Sequence, residues 1–225
     1  MKQYFLGIEF GSTRIKAVLL DEKHTIVKSG DYTWKSSLEN GVWTYHMEDV
    51  QEGLRTAIRN LGKLPGKISA MGVSGMMHGY LAFDKDWNLL APFRTWQNTM
   101  TGEAADKLTE AFGFNIPQRW SAAHLYQAVL NGEPHVKNIA HVTTLAGYVH
   151  YLLTGENVLG VGEASGMFPI DSETLTYDAA MLDKFDALTA KYGFDWNIRA
   201  VLPEVRTAGQ SAGLLTPSGS EYLGS

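Results

Sequence analysis

The chain has 225 residues, 44% of them hydrophobic and 19% charged, which is enough apolar content for one large globular domain or two small ones. A formal net charge of -5 with no Lys/Arg cluster argues against a nucleic-acid surface, and zero cysteines exclude disulfides and thiolate metal sites while fitting a reducing compartment. No apolar run approaches a membrane span, and Glu9 interrupts the only one near the N-terminus, so a cytoplasmic protein without membrane association is expected.

Phe5 to Asp21 reads as two apolar strands joined by a tight turn of small, hydroxylated residues. Tyr4, Leu6, Ile8 and Phe10 share one side at period two, and Phe5, Gly7 and Glu9 the other, which predicts a central strand with Glu9 as its one charged exception. Thr25 to Thr33 follows as a third strand. Asp49 to Leu61 has helical spacing, with Asp49 as the expected N-cap and Pro65-Gly66 as the break after it. Ile68 to Val73 is a short buried strand running into Ser74-Gly75-Met76-Met77-His78-Gly79. Tyr80 to Phe83 and Leu89-Leu90 form a hairpin around Asp84 to Asn88. From Thr101 onward the spacing is helical, over Thr101 to Phe112, His124 to Leu130, Leu145 to Leu153 and Ala179 to Tyr192. No repeat, low-complexity tract or linker divides the chain.

The opening turn has the chemistry of a phosphate cradle. Gly11 lets backbone N–H groups approach an anion, Ser12 and Thr13 add hydroxyl donors, and the Glu9 carboxylate beside the turn can hold a hydrated Mg2+. An ordinary hairpin with a polar turn would read the same way. The run Glu9-x-Gly11-Ser12-Thr13-x-x-Lys16 resembles the Asp-x-Gly-Thr-Ser-x-x-Lys that opens the FGGY carbohydrate kinases, and a looser form opens actin and the Hsp70 chaperones. Ser and Thr are exchanged, and Glu9 stands where the family has Asp.

Two further segments carry the resemblance. Ser74-Gly75-x-Met77-His78-Gly79 is similar to the Gly-x-Met-His-Gly element of xylulokinase-type members, which implies that Met77 and His78 contact a sugar. Pro92-Phe93-Arg94-Thr95-Trp96-Gln97-Asn98-Thr99-Met100 resembles Pro-x-x-x-Trp-x-Asp-x-Arg, which implies that Trp96 lies against the sugar with Asn98 in place of Asp and Met100 in place of Arg. An indole offers a flat apolar face to the C–H side of a sugar. Weaker likenesses cover Gly41 to Val50, Tyr148 to Glu156 and Glu163 to Met167. Ala123 to Ala128 lacks the Lys and Trp of the corresponding family segment.

The resemblance implies an α/β, ribonuclease H-like domain of the actin/Hsp70/sugar kinase ATPase superfamily, with a mixed β-sheet and helical insertions. Residues 1–225 would be the sugar-binding N-terminal domain, with the catalytic base Asp expected beyond Ser225 and a C-terminal nucleotide-binding lobe as partner. The complete enzyme would phosphorylate a ketose such as a pentulose with ATP and Mg2+. In that reading Gly11, Ser12, Thr13 and Lys16 face the phosphates, Glu9 faces the metal, and Met77, His78, Trp96 and Asn98 face the sugar. Lys16 reads equally as a solvated strand lysine, and a homodimer stays open. A non-catalytic sugar-binding module and an actin- or Hsp70-type ATPase fragment are the alternatives. A ROK-type sugar kinase shares the hairpin but carries a Cys-rich zinc motif, which a chain without cysteine lacks.

Overall fold

The structure is a computed structural model that describes residues 2–224. The opening strands are β1 (Gln3–Phe10), β2 (Arg14–Leu20) and β3 (Ile26–Thr33). A small hairpin follows, β4 (Ser37–Glu39) and β5 (Val42–Thr44), then α1 (Met47–Asn60) and β6 (Lys67–Gly75). These make a four-stranded sheet in the order β3-β2-β1-β6, antiparallel except for β1 and β6, which run parallel. Three antiparallel strands, a helix and a parallel fourth strand is the ribonuclease H-like order that the sequence predicts.

One face of the sheet carries the core. Tyr4, Leu6, Ile8 and Phe10 of β1 and Ile15, Ala17 and Leu19 of β2 are buried, and α1 lays Val50, Gly53, Leu54 and Ala57 over the sheet at helical spacing. The helix sits very close. A Cβ on Gly30 would come within 2.2 Å of the Ala57 carbonyl oxygen, and one on Gly53 within 2.5 Å of Ile15 Cδ1, so small residues on both elements set the spacing. The other face of β1 differs from expectation: Phe5 is half-buried while Gly7 and Glu9 are exposed. The strand is central in its pairing, but only one of its faces is covered by the described residues.

Asp49 is also placed differently. The N-cap position of α1 is His46, whose ring pairs with Glu39 at 2.8 Å, so Glu48 and Asp49 fall in the first turn, where the helix dipole favours acidic side chains.

Beyond β6 the chain forms β7 (Gly79–Phe83), β8 (Arg94–Thr95), α2 (Gly102–Phe112), α3 (Ser121–Leu130), β9 (His141–Thr143), α4 (Leu145–Thr154), β10 (Val158–Gly160) and α5 (Val161–Ala164). It ends with β11 (Ile170–Asp171), β12 (Thr176–Tyr177), α6 (Ala179–Thr189), α7 (Ile198–Val201), β13 (Glu204–Arg206) and α8 (Pro217–Leu223). The predicted hairpin from β7 to Leu89-Leu90 is reduced to a single Phe83–Leu89 bridge and one bond from Leu90 N–H to the Ala82 carbonyl. The strand partners of β7 are instead β8 and β9. A second core forms around β7, α2, α3 and α6, with Tyr80, Leu108, Phe168 and Phe185 fully buried. Among the described residues no helix is long and apolar enough to cross a membrane.

Candidate functional site

The turn between β1 and β2 is held from beneath by two aromatic residues. Gly11 N–H donates to the Arg14 carbonyl at 2.9 Å and closes the turn, and a Cβ on Gly11 would stand 3.1 Å from that same oxygen. The Gly11 carbonyl accepts the Trp34 indole N–H at 2.7 Å, the Ser12 carbonyl accepts the Tyr45 hydroxyl at 2.7 Å, and the Thr13 carbonyl accepts the Trp34 backbone N–H at 3.1 Å. In a trans peptide each C=O points opposite the following N–H. Anchoring the Gly11 and Ser12 carbonyls therefore turns the N–H groups of Ser12 and Thr13 outward, on two residues that are themselves exposed. The role of Gly11 is to make the turn tight. The donors that face outward are those of Ser12 and Thr13.

Glu9 lies on the exposed face of the sheet directly opposite Lys16 in the β1–β2 register, and Lys16 Nζ is 3.2 Å from Glu9 Oε2. Both side chains of this ion pair are about half exposed. Among the described residues there is no cluster of three or more His, Cys, Asp or Glu side chains that would cage a metal. Mg2+ keeps most of its waters and takes one or two protein carboxylates, so the exposed Glu9 carboxylate is of the donor type that such an ion uses.

The second half of the site leaves the sheet beside the first. Because β1 and β6 are parallel, both end at the same edge: Phe10 pairs with Gly75, and Met76 N–H donates to the Phe10 carbonyl at 3.2 Å. The turn that starts at Gly11 and the Met77-His78-Gly79 element are therefore neighbours. Gly79 has φ +127, and a Cβ there would lie 2.7 Å from the Arg94 carbonyl oxygen, so the crossing from β6 into β7 depends on glycine. Gly79 pairs with Thr95, which brings His78 and Trp96 to one end of the β7–β8 ladder.

His78 is half-buried, with Nδ1 3.5 Å from the Gly166 carbonyl oxygen. Desolvation holds its pKa below the usual histidine range, opposed by the Gly166 carbonyl and aided by the smaller effect of the Arg119 charge, so the imidazole is neutral near pH 7. A Cβ on Gly166 would meet both His78 Nδ1 and Met77 Cε at 3.0 Å, so the Ala164-Ser165-Gly166 bend packs directly on the Met-His pair. Trp96 is 45% exposed, which excludes a core role for its indole.

Asn98 departs from the expectation of a sugar contact. It is 4% exposed, its Oδ1 accepts the Trp43 N–H at 2.9 Å, and its Nδ2 donates to the carbonyls of Trp43 at 2.9 Å and Thr95 at 3.0 Å. The amide is engaged within the fold and ties the segment carrying Trp96 to β5. Beneath it, Arg94 is ion-paired with Glu133, and the Tyr80 hydroxyl meets His135 Nε2 at 2.8 Å. Trp34, Tyr45, Trp43 and Glu133 were not singled out from sequence. The partners described above lie 21 to 55 residues away along the chain, and only the Trp43-x-Tyr45 likeness to a family segment points toward any of them.

Residues 4–225 match the profile described as the FGGY family of carbohydrate kinases, N-terminal domain. The glycerol kinase of Thermococcus gammatolerans is 25% identical over 230 residues, covering 95% of this chain and 45% of that protein. The xylulose kinase of Escherichia coli is 24% identical over 218 residues, covering 91% of this chain and 45% of that one. The crystal structure of a gluconate kinase from Lactobacillus acidophilus superposes with a TM-score of 0.83 at 20% identity, covering all of this chain and 46% of the other. The ligand-bound xylulose kinase of the same organism gives a TM-score of 0.82 at 20% identity, covering 99% and 46%. The chain thus spans about half the length of the relatives it matches. With the Gly11–Thr13 turn and the Met-His element at one sheet edge, and a family match over nearly the whole chain, this protein belongs to the FGGY carbohydrate kinases, as their N-terminal domain.

Proposed function

We propose that residues 1–225 are the sugar-binding domain of an ATP-dependent kinase whose acceptor is a ketose, a xylulose-like pentulose. The nucleotide pocket and the base that takes the acceptor proton are assigned to a second lobe, in keeping with relatives about twice as long. The observation that carries this reading is the pairing of Phe10 with Gly75, which puts the outward donors of Ser12 and Thr13 beside Met77-His78.

The chemistry divides between the two elements. The Ser12 and Thr13 amides and hydroxyls hold the oxygens of the transferred phosphoryl group, where negative charge is spread in the transition state. Glu9, paired with Lys16, would hold Mg2+, which when bound neutralises phosphate charge. A neutral His78 both donates to and accepts from sugar hydroxyls, Met77 supplies an adaptable apolar wall, and the Trp96 indole lies against the C–H face of the sugar. Glycerol and gluconate are the rival acceptors, since relatives bearing those names match equally well.

Tryptophan fluorescence titrations with D-xylulose, L-xylulose, D-ribulose, glycerol and gluconate test the reading. A ketose is expected to bind most tightly, and His78→Ala to weaken it by about 1 to 3 kcal/mol. An affinity unchanged in the variant removes His78 from the site.

A further inference from the structure

The two elements that carry His78 and Trp96 are both tied to α3. The helix begins with Ser121, which is buried and donates its hydroxyl to the Gly79 carbonyl at 2.6 Å, directly after His78. Just past its other end, Glu133 is ion-paired with Arg94, two residues before Trp96. Arg94 is buried and is the register partner of Tyr80 in the β7–β8 ladder, and its guanidinium carbon stands 5.4 Å from the Tyr80 ring centroid. No hydrogen bond or ring contact holds the exposed Trp96 indole itself among the described residues, so its place depends on the strand that carries it.

Glu133 is aimed from inside the fold. Its Oε1 accepts the Asn131 amide N–H at 3.3 Å, Asn131 Oδ1 accepts the Gln127 amide N–H at 3.0 Å, and Gln127 Oε1 accepts the Ala104 backbone N–H at 3.1 Å. A line of hydrogen bonds thus runs from the start of α2 through α3 to Arg94. A largely desolvated ion pair adds little net stability, because desolvation offsets its attraction, but within a connected network it has a fixed direction. We propose that Glu133 is a positioning residue for the sugar acceptor, which through Arg94 sets the place of the Trp96 indole relative to His78. This rests on the ketose reading above.

D-xylulose titrations of the 225-residue chain, followed by amide NMR, test this. Glu133→Ala is expected to weaken binding about tenfold with the spectrum still dispersed, and Glu133→Gln, which keeps an acceptor for Arg94, to stay within about threefold of the parent. In a Trp96→Ala background the same Glu133→Ala change should alter the dissociation constant by less than about twofold, because its route runs through the indole. Should Glu133→Ala lose its dispersion, Asn131→Ala, which frees Glu133 Oε1 and leaves the ion pair in place, carries the same comparison with a loss of about threefold. A dissociation constant unchanged by the Glu133 or Asn131 variant, or a loss of the same size with and without Trp96, would overturn the inference and leave the ketose reading standing. The absence of any saturable shift at Met77 or His78 in the parent would overturn the ketose reading, and the inference with it.

Discussion

The Trp34 and Tyr45 rings stack with centroids 4.1 Å apart, and from that stack the indole N–H and the phenol O–H each reach a carbonyl of the Gly11–Thr13 turn at 2.7 Å. A turn of three small residues has little rigidity of its own. Here the rigidity comes from two buried aromatic rings, and the outward direction of the Ser12 and Thr13 amides follows from it.

Trp34→Phe keeps a ring for the stack but deletes the bond to Gly11. A loss of about 1 to 2 kcal/mol in stability is expected, read from urea midpoints, with a fall in kcat and little change in sugar affinity once the enzyme is complete. A variant that loses sugar affinity in step with kcat would place the turn in the sugar site instead.

Glu9→Gln removes the charge that pairs with Lys16 at 3.2 Å. In a complete enzyme this change should abolish Mg-ATP turnover while leaving sugar affinity nearly intact, because the proposed function puts the carboxylate on the phosphate side. Equal loss of sugar binding, measured by fluorescence titration, would mean that Glu9 is structural.

Asn98→Ala leaves the Trp43 N–H and the carbonyls of Trp43 and Thr95 without their present partner. Thermal and urea unfolding should show a loss of about 1 to 3 kcal/mol. A variant as stable as the parent but defective in sugar binding would restore Asn98 to the list of sugar contacts.

Stability should also depend on pH through Glu163. Burial raises its carboxyl from the ordinary 4.5 to about 7, with the Thr144 hydroxyl pulling weakly the other way. Between those values the folded protein keeps a proton that the unfolded chain has released, so stability falls as pH rises through that window. The loss levels off above pH 7 at something on the order of 3 kcal/mol. Urea midpoints at pH 5 and pH 8 should therefore fall further apart in the parent than in Glu163→Gln. Equal separations would show that the carboxyl titrates as an exposed one.

The elements with sustained periodicity were legible in the sequence. The alternation of Tyr4, Leu6, Ile8 and Phe10 and the spacing of Val50, Gly53, Leu54 and Ala57 both report burial on one face. Strands of two or three residues, such as β8, β10 and β13, are too short to show a period, and the four-residue α7 completes barely one turn. His46, its ring paired with Glu39, stands at the helix start in place of Asp49, and Asn98 turns inward to Trp43, 55 residues away. Such choices are made by tertiary partners, which no local window contains. The Glu9 turn and the Met77-His78 element were each visible alone. Their adjacency follows from the parallel pairing of β1 with β6.

The most direct measurement is a coupled ADP-release assay with D-xylulose, L-xylulose, D-ribulose, glycerol and gluconate, run on the 225-residue chain alone and with a C-terminal kinase lobe supplied on the same chain or as a separate polypeptide. The account predicts no turnover by the chain alone, and turnover with the second lobe present that is fastest, by kcat/KM, for a pentulose. Robust turnover by the chain alone, or a preference for glycerol or gluconate over every ketose, would contradict it.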